Sequence, residues 1–542
     1  MKKPFAITLD IASSLANHTG SWRTRRPVYV HNIPPCNDAC PAGENIQGWL
    51  NRAEEGDYEG AWRILVRDNP MPAVHGRVCY HPCESACNRA RLDTTVGIHA
   101  VERFLGDEAL RRGWNLEPGE PSGRKILVIG AGPSGLSAAW HLRLKGHEVD
   151  VYDAGPKAGG MMRFGIPRYR LPREVLDGEI KRIEELGVRF VLNTKVEDIE
   201  RLMKEEGYGA VFVAIGAHLA RRTEIPARDA GRIMDAVSVL HAVEDGAPPP
   251  LMGRRVVVYG GGNTALDTAR TARRLGASEA VIVYRRTKEQ MPAHESEMRE
   301  ALEEGVMINW LRTIKKMDEG AVTVEKMKLN EDGWPEPTGE FETIEADTVI
   351  LALGQQTDSA FLEKLDGVEF GRNGVVKVDS SMMTGHPGVF AGGDMVPSER
   401  TVTVATGHGK QAARHIDAWV RGGKWSPGER HPLASFERLN TWYYTDAPAM
   451  MQPQLDLARR QSSFDEVVRG LDETSALFEA RRCLSCGNCF ECDNCYSVCP
   501  DNAVRKLGPG KGYEFDYDFC KGCGLCAEEC PCGAIDMIPE EA

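Results

Sequence analysis

Several absences narrow the reading before any motif is considered. No apolar run approaches the roughly 18–20 residues that a membrane-spanning helix needs. Nor is there an excess of positive charge. Sixty-six Lys and Arg stand against 79 Asp and Glu, a formal net charge of −13, which argues against a general nucleic-acid surface. The opening "MKKPFAITLDIASSLANHTG" has two lysines but no continuous apolar segment, so a secretory leader is not expected. Residues 88–482 contain no cysteine, although the chain has 16 elsewhere. A secreted, disulfide-stapled protein would spread its bridges through its loops, whereas metal sites gather thiolates locally. The expectation is a protein of the reducing cytoplasm. At 542 residues several domains are the default.

The cysteines that are present fall at the two ends, five from Cys36 to Cys87 and eleven from Cys483 to Cys532. Cys489, Cys492, Cys495 and Cys499 precede Pro500, and Cys520, Cys523, Cys526 and Cys530 precede Pro531. Both runs read C-x2-C-x2-C-x3-C-P, the spacing of bacterial two-cluster ferredoxins, in which the fourth cysteine of each run serves the other cluster. That assigns Cys489, Cys492, Cys495 and Cys530 to one [4Fe–4S] centre and Cys520, Cys523, Cys526 and Cys499 to another. Zinc domains also use C-x2-C pairs but do not need this duplicated arrangement.

Near the other end, "NDACPAGENIQGWL" and "GRVCYHPCESAC" supply Cys40, Cys79, Cys83 and Cys87 as a third set of four. The intervening stretch alternates polar and apolar residues at helical spacing, which lets helices bring the distant thiolate to the later three. Zinc on the same ligands is the alternative, because spacing does not identify the metal. Cys36, Cys483, Cys486 and Cys532 are left over, either as buried thiols or as parts of a fourth cluster.

The cysteine-free middle carries two nucleotide units. "KILVIGAGPSGLSAAWHLRLKGHEVDVYDAG" turns from an apolar strand through Gly130, Gly132 and Gly135 into a helix, and its second strand ends at Asp153. Such glycines permit the turn, the approach of a pyrophosphate and close helix packing, and the acid suits a ribose hydroxyl. "RRVVVYGGGNTALDTARTARRLGASEAVIVYRR" repeats the pattern with Gly260, Gly262 and Ala265, but its second strand ends in Arg285 and Arg286. Guanidinium groups suit a 2′-phosphate, which favours NADP(H) over NAD(H). "YGAVFVAIGA" and "ADTVILALGQ" read as buried strands. "GVFAGGDM" ends another at Asp394, expected at the ribitol or pyrophosphate of a flavin, with backbone amides near Val404 facing its carbonyl edge.

In motif order the chain resembles the small subunit of glutamate synthase and its NADPH-dependent oxidoreductase relatives. The resemblance rests on "GRVCYHPCESAC", "VIGAGPSGLSAA", "GGMMRFGIPRYRLP", "VYGGGNTALDTA", "VYRRTKEQMP" and "GVFAGGDM". It implies an FAD domain interrupted by an NADPH domain. Gly130, Gly132, Gly135, Asp153 and Asp394 then fall on the FAD side, and Gly260, Gly262, Arg285 and Arg286 on the NADPH side. The cysteine pair that family members carry upstream of Cys36 is lacking, so only one amino-terminal cluster is carried over.

The expected fold is multidomain α/β. A helical iron–sulfur domain (1–120) leads into an FAD domain of two parts (121–248 and 380–430), with an NAD(P)H domain inserted (249–379). A connecting arm (431–482) and an α+β ferredoxin-like module (483–542) follow, with boundaries near 117–123 and 247–253. The expected cofactors are FAD, NADP(H) or NAD(H), and three or four [4Fe–4S] clusters. The reaction is hydride exchange with FAD and single-electron transfer through the clusters. The catalytic atom lies on FAD, and no acid–base triad is required. The partner is a larger redox subunit, for which relatives suggest a 2-oxoacid:acceptor oxidoreductase, or a ferredoxin. Glutamate synthase proper and an electron-bifurcating enzyme are alternatives, as is a structural iron–sulfur subunit. A disulfide reductase would need a redox-active C-x2-C beside its flavin, and the middle of the chain has none.

Overall fold

The structure, a computed structural model, describes residues 18–220, 225–226, 232–246 and 253–540. Two five-stranded parallel sheets form its centre. In the first, the strand order is Val389–Ala391, Ala210–Val213, Lys125–Ile129, Glu148–Tyr152, Arg189–Val191. The second runs Met307–Trp310, Glu279–Tyr284, Arg255–Tyr259, Thr348–Leu351, Arg232–Asp235. Strands such as "ILVI" and "VVV" are apolar on both faces because both faces are covered, as parallel sheets require.

The first sheet draws its strand Val389–Ala391 from beyond the second sheet's segments, and two of the expected domain bounds move. The strand Arg232–Asp235 pairs in parallel with Thr348–Leu351, so residues from 232 belong to the second sheet and not to an FAD segment ending at 248. Conversely, Leu362, Leu365 and Val376 are buried in the first core, so the chain returns to the first sheet well before the expected 380. Most of the expected boundary at 247–253 lies outside the described residues. A three-stranded antiparallel sheet (Arg312–Asp318, Ala321–Leu329, Pro335–Glu345) covers one face of the second sheet.

Amino-terminal helices, from Pro35–Ala39 to Ile98–Arg112, share the first core through Trp49, Trp62 and Leu65. Trp140, on the helix behind the first glycine loop, donates its indole N–H to Val66 O at 2.9 Å and ties the two parts together.

The expected 1–120 domain is also not one unit. The strand Arg25–Tyr29 pairs antiparallel with Ile535–Pro539, so the start of the described chain closes the carboxy-terminal module. Arg23 clamps Glu540 beside this pair, at 2.7 and 2.8 Å. The connecting arm is packed along the molecule. Its helix Glu473–Ala480 lies on the amino-terminal helices, and the Tyr444 hydroxyl donates to Leu484 O at 3.1 Å, while Trp442 stays exposed.

Candidate dinucleotide cavity and thiolate clusters

Each glycine loop joins a buried strand to a helix whose first residue follows the second glycine, Pro133 after Gly132 and Asn263 after Gly262. Gly130 has φ of +107° and Gly260 +150°; a Cβ on either would lie 2.3 and 2.2 Å from a carbonyl oxygen of the neighbouring crossover, Ala214 or Ala352. Only glycine makes this turn. At Gly132 and Gly262 the space that a Cβ would take is open, which is the room a pyrophosphate needs.

Both loops open into one cavity of about 1310 Å³. Gly130, Gly132, Asp153, Gly262 and Asp394 line it. Gly135 and Ala265 stand behind it as packing positions: a Cβ on Gly135 would meet Gly130 O at 1.9 Å, and Ala265 is fully buried. Asp153 accepts backbone N–H bonds from Ala131 and Gly155, each at 2.7 Å, so its carboxylate holds the glycine loop as well as facing the cavity. Burial raises Asp394 to about 6, and the nearby Arg400 only partly opposes the rise.

The helix Val402–Val420 points its amino end into this cavity. The Val404 N–H is not free for a ligand, because the Thr401 hydroxyl accepts it at 3.1 Å as a helix cap. Its neighbours Thr401, Val402, Thr403 and Ala405 line the wall instead. Arg285 and Arg286 lie outside that wall. Arg285 is exposed, while Arg286 stacks over the Trp334 ring at 5.0 Å with its buried Nε unpartnered.

The amino-terminal domain completes the cavity through Pro41, Cys79, Tyr80 and Pro82. Tyr80 stacks on His294 with ring centroids 4.7 Å apart, and the Asn263 amide donates to its hydroxyl at 2.6 Å. Thus a residue next to a cysteine touches the helix of the second glycine loop. Spacing alone gave no sign of Tyr80, Asn263 or His294, although Asn263 directly follows the GGG turn.

The thiols do not group as the linear reading expected. Cys40, Cys79 and Cys83 face one another, with the buried carboxylates of Glu44 and Glu102 beside them. Cys87 instead borders a separate cavity with Cys36, Cys483 and Cys486. Cys83 lies on the helix Pro82–Ser85, whereas Cys87 lies past its end in extended backbone at φ −67°, ψ 123° and opens the turn Asn88–Arg91. In the tail, Cys489, Cys492 and Cys495 gather with Cys530. Cys499 lines a cavity with Cys520, Cys523 and Cys526.

The donor sets fit iron–sulfur clusters. All 16 cysteines are free thiols. Burial pushes Cys79 and Cys526 up to about 12, so a thiolate at either position needs a bound cation. Backbone N–H groups already point at sulfur, His81 to Cys79 at 3.3 Å and Ala503 to Cys499 at 3.2 Å.

Residues 124–409 match the pyridine nucleotide-disulphide oxidoreductase family. The chain belongs to that family. Residues 11–114 match dihydropyrimidine dehydrogenase domain II, a 4Fe-4S cluster domain, and residues 488–534 match a 4Fe-4S dicluster domain. The NADP(+)-dependent formate dehydrogenase subunit beta of Moorella thermoacetica is 37% identical over 500 residues, covering 83% of this chain and 70% of that protein. The NADPH-Fe(3+) oxidoreductase subunit beta of Geobacter sulfurreducens is 32% identical over 526 residues, covering 85% and 77%. The glutamate synthase [NADPH] small chain of Escherichia coli is 32% identical over 418 residues, covering 71% and 89%. This member of the pyridine nucleotide-disulphide family is an NAD(P)H-dependent FAD/iron–sulfur oxidoreductase. Despite the family's description, its nucleotide domains contain no cysteine that could form a redox disulfide.

Proposed function

We propose that this chain is the NADPH-facing electron-transfer subunit of a larger redox complex. The observation that carries the reading is the shared cavity: both glycine loops and Cys79 open onto it. Bound FAD supplies the conversion between a two-electron hydride and single electrons, and bound [4Fe–4S] clusters carry the latter.

On this reading Gly130, Gly132 and Gly135 cradle the FAD pyrophosphate, Asp153 holds its ribose, and Asp394 fixes the flavin side of the same cofactor. Gly260, Gly262 and Ala265 cradle the second dinucleotide at the amino end of the helix Asn263–Arg274. Arg285 and Arg286 recognise the 2′-phosphate from the end of their strand. Tyr80 and His294 narrow the space between the nucleotide loops and Cys79, which excludes water from the meeting point. The ferredoxin-like runs at Cys489–Cys499 and Cys520–Cys530 form the outlet to a partner subunit.

No helix among the described residues is long and apolar enough to cross a membrane. The Moorella and Geobacter relatives are both named as beta subunits, which supports an assembly with a second redox subunit. Flavin and iron quantification, followed by anaerobic addition of NADPH or NADH, tests the reading. NADPH should bleach the flavin band at lower concentration than NADH. A protein that binds no FAD, or whose flavin ignores both nucleotides, contradicts it.

A further inference from the structure

We propose that Cys36, Cys87, Cys483 and Cys486 ligate a fourth [4Fe–4S] cluster, assembled from the two ends of the chain and lying between the amino-terminal thiols and the two-cluster tail. It deepens the electron-transfer reading above and rests on it only for the use of the cluster, not for its presence.

The first support is convergence. Cys36 comes from the helix Pro35–Ala39, Cys87 from the turn after Pro82–Ser85, and Cys483 and Cys486 from the turn after Glu473–Ala480. All four line one cavity, walled by Leu50, Val96 and Ile98. Its volume is about 20 Å³, the same as that of the cavity beside Cys499, Cys520, Cys523 and Cys526 in the ferredoxin-like tail.

The second support is backbone geometry. In the tail, Cys489 and Cys492 are each followed by a left-handed residue, Glu491 at φ +60° and Asp493 at +68°, in the pattern Cys-x-αL-Cys-αL. Gly522 at +71° and Gly524 at +82° repeat it around Cys520 and Cys523. Ser485 at +47° and Gly487 at +75° repeat it a third time around Cys483 and Cys486. A serine and two acids tolerate this costly region in the same register as glycines, which points to a loop shaped for its ligand. The Ser485 N–H points at Cys483 Sγ from 3.4 Å, and the Asn88 amide at Cys486 Sγ from 3.5 Å.

The third support is anchoring. Gly487 N donates to Cys532 O at 2.7 Å, and Asn32 N to Gly487 O at 3.0 Å, so the loop bonds both to the two-cluster module and to the amino-terminal segment. Arg89 Nη1 donates to Arg482 O at 3.2 Å from the other side. Two of the four thiols thus come from more than 400 positions after Cys36 in the chain. An electron enters and leaves such a centre singly, with no bond made or broken.

Iron, acid-labile sulfide and zinc measured per flavin in the anaerobically purified chain test this. The expected result is at least about twelve iron and twelve sulfide, for this cluster and the two of the tail, with Cys486→Ser and Cys36→Ser each lowering both by about four while flavin content is kept. Low-temperature EPR of the reduced variants should lose one cluster's signal. A wild-type count near eight iron, about one zinc per chain, or variants that keep all their iron would overturn the proposal. The wild-type count needs no variant to fold. Full iron with a flavin that ignores NADPH would instead contradict the proposed function and leave this site standing.

Discussion

The amide of Asn263 donates to the Tyr80 hydroxyl at 2.6 Å, joining the helix that follows the second glycine loop to the residue after Cys79. Through this bond the nucleotide domain touches the cluster domain at the point where both border the cavity. Tyr80→Phe removes the bond and keeps the ring stacked on His294. The expected cost in stability is about 1 kcal/mol. Rapid mixing with NADPH should show slower reduction of flavin and clusters at unchanged iron content. An unaltered rate would show that this contact positions nothing.

Arg285 and Arg286 carry the prediction of nucleotide choice. Replacing both by alanine should raise the KM for NADPH roughly tenfold and leave that for NADH nearly unchanged, because only the former carries a 2′-phosphate for charge-assisted hydrogen bonds. Steady-state kinetics with both donors decides it. Equal losses would reduce the pair to surface charge, with Arg286 merely stacked on Trp334.

Asp394 links the flavin site to pH. Burial raises its carboxyl from the ordinary 3.8 to about 6. The folded, flavin-free protein therefore holds a proton that the unfolded chain releases. Its contribution to stability is greatest below pH 3.8 and declines as pH rises toward about 6. Asp394→Asn should flatten that part of the thermal-stability profile of the flavin-free protein and weaken FAD retention on gel filtration. A variant with the wild-type slope would free Asp394 from this role.

Glu304 behaves in the opposite sense. Burial raises it, but hydrogen bonds from Arg270 and Arg274 at 2.7 Å outweigh burial and hold it at about 2. Arg460 of the connecting arm approaches the same carboxylate at 3.4 Å, so the arm is fastened to the second sheet here. The stability this carboxylate provides is complete above its ordinary 4.5 and is lost as pH falls through about 2. Glu304→Gln leaves the buried Arg274 without a counter-charge and Arg270 with Glu300 alone, and should cost about 3 kcal/mol at neutral pH in denaturant unfolding. A cost below about 1 kcal/mol would mean that solvent screens the group.

Much of the plan was legible from local spacing. The glycine loops, the acid at Asp153 and the two C-x2-C-x2-C-x3-C runs each lie within one turn or one supersecondary unit, where neighbours in sequence are neighbours in space. What was not legible depends on contacts between distant segments. Nothing near Arg25–Tyr29 reveals that it pairs with Ile535–Pro539. Arg232–Asp235 looked like the end of the FAD segment, because only its pairing with Thr348–Leu351 assigns it to the second sheet. Cys87 shares an evenly spaced run with Cys79 and Cys83, yet it lies beyond the end of the helix that carries Cys83 and its cavity is completed by the tail. The local hint was there in "CLSCGNC", a third C-x2-C preceding the ferredoxin run. Of the amides expected near Val404, that of Val404 itself is taken by the Thr401 cap, while Val402, Thr403 and Ala405 line the cavity.

The central claim is that electrons from NADPH leave the shared cavity by way of the cysteine-held centres that begin at Cys79. Anaerobic rapid-mixing of the flavin- and iron-loaded protein with NADPH, with samples freeze-quenched for EPR, tests it most directly. Bleaching of the flavin band followed by cluster signals is the predicted result. A flavin that is reduced and stays reduced while every iron centre remains oxidised would contradict the account.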